Sequence, residues 1–182
     1  MEASEVASEL LAGVGTRLAH SRAVARQATI VEPLLDYPWS PALLDAAWLH
    51  DVGYAPDLSV TGFHPIDGAR WLRSHGWPAE VCCLVAWHTR AGTEASLRAL
   101  LPELVAEFPR PPSVVQAVLT WADLTSSPSG GCCTVGERLD DILDRYPSGS
   151  VVRLATIANR SALLADVAMV EAALGTVQAA RA

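Results

Sequence analysis

Apolar residues recur at spacings of three and four along nearly the whole chain, the period of a helix with one buried face. No segment alternates as a half-buried strand does. The pattern predicts a first helix from Val6 to Ile30, carrying His20, and then a turn-rich segment from Glu32 to Trp39 with Pro33 and Pro38. Ser40 reads as an N-cap with Pro41 at the first helical position. The helix from Pro41 to Asp51 is apolar nearly all round (Leu43, Leu44, Ala46, Ala47, Trp48, Leu49), as expected of a centrally buried element, and Gly53 ends it. His64-Pro65 opens a helix that stops near Gly76, and Pro78 starts another that runs to His88. Thr93 caps a short helix through Leu101. Ser113 with Gln116 forms a capping-box pattern ahead of Val114 to Leu124, and Thr134 with Glu137 repeats it ahead of Val135 to Tyr146. A long final helix runs from Ser148 to Ala173, with Leu163, Val167, Val170 and Leu174 spaced as a core or partner face, so a homodimer is one expectation. Pro109 to Pro112 and Pro128 to Cys133 read as loops. The predicted fold is all-α, a compact single-domain helical bundle over residues 1–182.

Composition narrows the function classes. A chain of 182 residues, 51% of them hydrophobic, has the material for a sizeable core. Its net charge of −7, with no Lys, argues against a general nucleic-acid binder and against an anionic membrane surface. No apolar run approaches the ~20 residues that span a bilayer. The start, Met1-Glu2-Ala3-Ser4-Glu5, is acidic and unlike a signal peptide, so the expected location is cytoplasmic. The cysteines fall in two adjacent pairs, Cys82-Cys83 and Cys132-Cys133, without CxxC spacing, which predicts core filling at the first pair and no disulfide framework.

Against that background, certain polar residues stand on apolar faces. Asp123 lies four residues after Leu119 and eight after Val115, on the inward face of its helix. An unpaired carboxylate there would cost several kcal/mol or neutralise. Val81, Leu84, Val85 and His88 are spaced so that the imidazole continues a core stripe. His50 and Asp51 end the most apolar helix, and His20 lies one turn before Val24. A single such His is usually a core histidine bonded to a carbonyl. Several segments that each turn a His or Asp inward point instead to a shared cation. Imidazole with carboxylate suits Mn, Fe, Co, Ni or Zn, and the donors suffice for one or two divalent ions. His75, beside Gly76 at a helix end, is read as a group that suits the negative end of the helix dipole.

In order along the chain, His20, the doublet His50-Asp51 and the distant Asp123 resemble the HD superfamily of metal-dependent phosphohydrolases. Leu49-His50-Asp51-Val52-Gly53 is similar to that family's doublet and its following Gly. His64-Pro65-Ile66-Asp67-Gly68 resembles the helix start of the subgroup with extra histidines, and His88 matches the second of these. The resemblance covers residues from about 15 to 125, and the helices of 134–175 are expected to pack on that core. It implies that His20, His50, Asp51 and Asp123 hold one ion, with Asp51 bridging to a second held by His64 and His88. The cyclic-di-nucleotide branch fits poorly: Tyr54 stands where that branch has Lys, and His88 is followed by Thr89-Arg90-Ala91-Gly92. The long stringent-response enzymes also fit poorly, because their synthetase region is missing.

The expected activity is metal-dependent hydrolysis of a phosphate ester on a small molecule or nucleotide, with Asp51 at the catalytic centre. Arg90 is the first candidate for a phosphate contact and Arg22 the second, each competing with a solvated or salt-bridged alternative. The loop Thr125 to Cys133 is either a cover for the site or a connector. Trp48, Trp87 and Trp121 are either core or the walls of a greasy pocket. Two other activities stay open. Asp51, His64 and His88 form a two-His-one-carboxylate set of the kind a di-iron oxygenase uses on a small organic substrate. The domain also fits a non-catalytic, metal-stabilised sensor or interaction module.

Overall fold

Ten α-helices make up the described part of the chain in a computed structural model, which describes residues 1–35 and 39–181. They are α1 (Ala3–Leu10), α2 (Arg17–Val31), α3 (Ser40–Leu49), α4 (His64–Ser74), α5 (Ala79–Trp87), α6 (Ala91–Leu97), α7 (Leu101–Glu107), α8 (Ser113–Leu124), α9 (Val135–Arg145) and α10 (Val151–Arg181). The class is all-α, as the periodicity predicts. Among the described residues there is no strand, only an isolated bridge between Ser126 and Cys132, and no helix long and apolar enough to cross a membrane. Pro38 of the predicted turn lies outside the described residues.

The centre is α3. Leu43, Ala46, Ala47 and Leu49 are wholly buried, and α3 packs against α1, α2, α5 and α8. With almost no polar face, it is stable only when surrounded. Cys82 and Cys83 lie in the same core, as free thiols. The stripe Leu163, Val167 and Val170 of α10 is buried and Leu174 packs partly on it, so this face belongs to the core.

Several boundaries differ from the sequence expectation, each for a local reason. The single helix expected from Val6 to Ile30 is two, because Gly13 (φ 76°) and Gly15 (φ 51°) take left-handed backbone between α1 and α2. Ser40 is not a cap; its hydroxyl donates to the Leu35 carbonyl, and Trp39 holds the cap position. Thr93 does not cap α6 either: its hydroxyl donates to Asn159 Oδ1 on α10. The helix expected to reach Leu101 ends at Leu97, since Ala99 turns left-handed, and α7 then starts as a separate element with Pro102 in its first turn. The box expected at Ser113 is absent, because Gln116 donates to the Trp87 carbonyl. The Thr134–Glu137 box forms in full, with Glu137 N donating to Thr134 Oγ1 and Thr134 N to Glu137 Oε2.

The two glycines of the motif segments have one shared purpose. A Cβ on Gly53 would run into the His64 carbonyl and sit 2.7 Å from Gly68 N. A Cβ on Gly68 would lie 3.0 Å from Gly53 N. Their bare backbones let the 3-10 turn Val52–Tyr54 rest directly on the first turns of α4, which brings His64 beside Asp51. Asp67 completes this corner: its carboxylate accepts from Val60 N, Thr61 N, Thr61 Oγ1 and Gly62 N, and so ties down the approach to α4.

Candidate metal centre

Five segments deliver six donors to one place. His20 lies in the first turn of α2, His50 and Asp51 just past α3, His64 at the start of α4, His88 just past α5, and Asp123 in the last turn of α8. All are buried except His64, which is half-buried. They form two groups, His20–His50–Asp123 and Asp51–His64–His88, with donor atoms in each group all within 4.8 Å of one another. His20 Nε2 is 2.9 Å from Asp123 Oδ1, and His64 Nε2 is 3.1 Å from His88 Nε2. Asp51 Oδ1 lies between the groups, 3.6 Å from His50 Nε2 and 3.5 Å from His64 Nε2.

The ring tautomers follow from the backbone. His50 Nδ1 faces the Ala47 carbonyl at 3.0 Å, His88 Nδ1 the Val85 carbonyl at 2.6 Å and His20 Nδ1 the Ser127 carbonyl at 3.3 Å. A carbonyl only accepts, so Nδ1 of His50 and of His88 carries the proton and their Nε2 turns a lone pair inward; His20 faces an acceptor at each nitrogen and donates Nε2–H to the nearer one, Asp123 Oδ1, a proton that a cation would replace. Carbonyls behind the rings orient them as the outer partners of metal-bound histidines do. Two such lone pairs and two carboxylates then face one another, with His20 bonded to one of the carboxylates. His50 Nε2 is fully buried without a hydrogen-bond partner, a state that costs about 1–3 kcal/mol unless something satisfies it. A divalent transition ion fits this donor set. Bonds of ~2.1 Å place neighbouring donors about 3.0–3.4 Å apart, close to the separations found here.

Electrostatics sorts the protonation states. Burial pushes the His50 imidazole down to about 4, against the pull of Asp51 and Asp123. Burial and the nearby His88 hold His64 well below its ordinary value. Neutral imidazole is the form that binds metal. Burial opposes ionisation of Asp51, but His50, Arg17 and His64 outweigh it and keep the carboxyl well below the usual range. Asp123 is also held low: burial is outweighed by the His20 hydrogen bond and by His20, His50 and Arg138.

Further polar groups hold the carboxylates. Arg17 Nη1 donates to Asp51 Oδ2 at 2.8 Å and stacks on Tyr54, whose other face stacks on His64. Thr89 Oγ1 donates to Asp123 Oδ2 at 2.5 Å. It reaches there because Thr89 (φ 47°) and Arg90 (φ 58°) are both left-handed, at a cost of about 1–2 kcal/mol each. Arg138 of α9, buried, brings Nη2 to 3.7 Å from Asp123 Oδ1, and its Nε has no partner.

These groups open onto a cleft of about 110 Å³ between the donors and the helices α9 and α10, several times the ~10–15 Å³ one water needs. Arg17, Arg90, Arg138 and Arg145 border it. Arg90 stands at its edge with its guanidinium gripped by Asp166. Arg22 is exposed and does not border the cleft. Sequence reasoning missed Arg17 and Arg138, although both left a trace. Arg17 is three residues before His20 on α2, and Arg138 interrupts the apolar spacing Val135, Leu139, Ile142. The loop after Asp123 is fastened to α2: Arg26 donates to the Gly130 carbonyl, and the Ser127 carbonyl serves His20. Trp48, Trp87 and Trp121 do not border the cleft; Trp87 and Trp121 are core. No family profile, curated protein or solved structure matches the chain.

Proposed function

We propose that the chain is an HD-type, metal-dependent phosphohydrolase, one domain that cleaves a phosphate ester on a small molecule. The observation that carries the reading is the charge balance of the donor cluster. Three carboxylates already face three guanidiniums, Asp51 with Arg17, and Asp123 and Asp141 with Arg138 and Arg145, while burial disfavours charged imidazoles at His50 and His64. Each divalent ion therefore adds two uncompensated positive charges in a buried place, which favours an anion as its remaining partner. A phosphoryl group meets that need and a neutral organic substrate does not.

In this reading His20, His50, Asp51 and Asp123 hold one ion, and Asp51 shares a second with His64 and His88. A divalent ion held there (Mn, Fe, Co, Ni or Zn) would supply Lewis-acid chemistry, activating water and polarising a phosphoryl group. The chain's own groups do the positioning. Arg17 engages Asp51 Oδ2 and leaves Oδ1 facing His50 and His64. Thr89 engages Asp123 Oδ2 and leaves Oδ1 facing His20. Arg138 offers its guanidinium to a phosphoryl oxygen beside Asp123, with Arg90 as a more distant contact at the cleft edge. Arg22 has no part in it.

The test is reconstitution. Chelator-stripped protein is reloaded with Mn, Fe, Co, Ni or Zn in turn, and bound metal and phosphate release from an ester panel are measured without O₂. Expected are one or two ions per chain and metal-dependent release, lost in Asp51→Asn with the fold retained. Folded protein that retains no ion sinks the metal centre. Turnover that consumes O₂, with a mixed-valent di-iron EPR signal, replaces the hydrolase by an oxygenase. Metal binding without turnover on any ester leaves the sensor.

A further inference from the structure

Besides the donors, the cleft is bordered by a set of side chains centred on α9 and α10, and this half of its lining says what the rest of the substrate is. It is walled by Leu139, Ile142, Val152, Ala155 and Leu163 from α9 and α10. The polar side chains that border this half, Tyr146 apart, are already engaged inside the protein. Arg90 is held by Asp166 and Glu94 by Arg98. Arg145 pairs with Asp141, and the Thr156 hydroxyl donates to the Val152 carbonyl. Asn159 donates to the Arg90 carbonyl and accepts from Thr93.

A nucleobase needs donors and acceptors for its edges or an aromatic face for its ring. The edges find few uncommitted partners here. The nearby aromatic faces of Tyr54 are covered by His64 on one side and Arg17 on the other. Apart from the ring and hydroxyl of Tyr146, which suit an aryl body, what this half of the cleft offers without competition is hydrocarbon surface. Beyond the walls, Arg138 supplies a buried guanidinium at the junction with the donor cluster; its Nη1 donates to Asp141, and its Nε is unpartnered.

We infer that the substrate is a small anionic monoester whose non-reacting part is alkyl or aryl rather than a nucleoside, seated head-first at the donors with its apolar body between α9 and α10. This deepens the metal-centre reading above and rests on it for the head group. The cleft's polar end takes the phosphoryl oxygens, and the apolar walls take the body by excluding water from it.

The experiment is calorimetric binding of methyl-, butyl- and hexylphosphonate to the metal-loaded full chain, with adenosine 5′-monophosphate as comparator. Affinity is expected to rise about fourfold for each methylene buried, with the nucleotide weaker than butylphosphonate. Ile142→Asn on α9 and Val152→Asn on α10 are expected to flatten the chain-length gradient while methylphosphonate binding stays within about twofold, with helicity checked by circular dichroism. A gradient that is flat in the wild type, a nucleotide that binds more tightly than hexylphosphonate, or no binding of any phosphonate overturns the inference. The readout needs no turnover. A clear gradient with no ester hydrolysed removes the hydrolase and keeps this substrate class, whereas efficient nucleotide hydrolysis without a gradient does the reverse.

Discussion

Replacing His50 by Leu separates a metal ligand from a core histidine by the sign of the stability change. In the metal-free chain His50 Nε2 is buried and unpartnered, so Leu removes a burden of about 1–3 kcal/mol. It also deletes the Nδ1 donor to the Ala47 carbonyl, a bond with a net worth of about 1 kcal/mol. Near pH 7.5 the apo variant is therefore expected to be as stable as the wild type or up to about 2 kcal/mol more stable. Metal reverses the order. An ion present at a thousand times its dissociation constant stabilises the wild type by about 4 kcal/mol, and the variant loses most of that.

Acid adds a second signature. The folded imidazole titrates near 4, whereas the unfolded one takes its proton near 6.5. Between those values the unfolded state binds the extra proton, so the stability of the apo wild type falls as pH drops from about 6.5 to 4, by at most about 3 kcal/mol. The Leu variant lacks this slope. The assay is urea denaturation at a series of pH values, with chelator and with metal. A variant more than 2 kcal/mol less stable than the wild type in chelator, together with no metal stabilisation of the wild type, would refute the argument and make His50 an ordinary packed histidine.

Other expectations follow from the close approaches around the cluster. Gly53→Ala puts a Cβ into the His64 carbonyl and is expected to cost several kcal/mol or displace α4, read as a lowered urea midpoint together with lost metal affinity. Gly130→Ala forces a Cβ to 2.9 Å from the Ala19 carbonyl at φ 91°. It should push the loop off α2 and take the Ser127 carbonyl from His20, weakening metal binding about 10- to 100-fold by competition with a fluorescent chelator. Arg138→Met exchanges a buried cation for an apolar side chain of similar length. It leaves buried Asp123 without its guanidinium and is expected to lower apo stability by up to about 3–5 kcal/mol and, in the fraction that stays folded, to raise the KM for a phosphate ester at least tenfold; an unchanged KM removes Arg138 from the site.

How much of this was legible in the chain differs by residue. The spacing Val81, Leu84, Val85, His88 and the spacing Val115, Leu119, Asp123 declare which way those side chains face, because a helix repeats its face every three to four residues. The buried rank of α3 was equally plain. Breaks were harder: Gly13 and Gly15 divide α1 from α2, and Ala99 divides α6 from α7, through backbone angles that composition only hints at. Capping serines and threonines misled where another partner took the hydroxyl, a tertiary one for Thr93 (Asn159) and one in the preceding turn for Ser40 (the Leu35 carbonyl).

By itself, then, the sequence determined the helical class, the central helix and the inward direction of the histidines and aspartates, since these depend on periodicity and on the cost of burying charge. Only the tertiary structure decided which arginines stand beside them. A guanidinium sits at the end of a long flexible stem, and its place is set by whichever carboxylate the fold brings within reach. Asp166 of α10 claims Arg90, Asp51 claims Arg17, and Arg138 arrives beside Asp123 from a helix that begins only after the intervening loop has been fastened to α2.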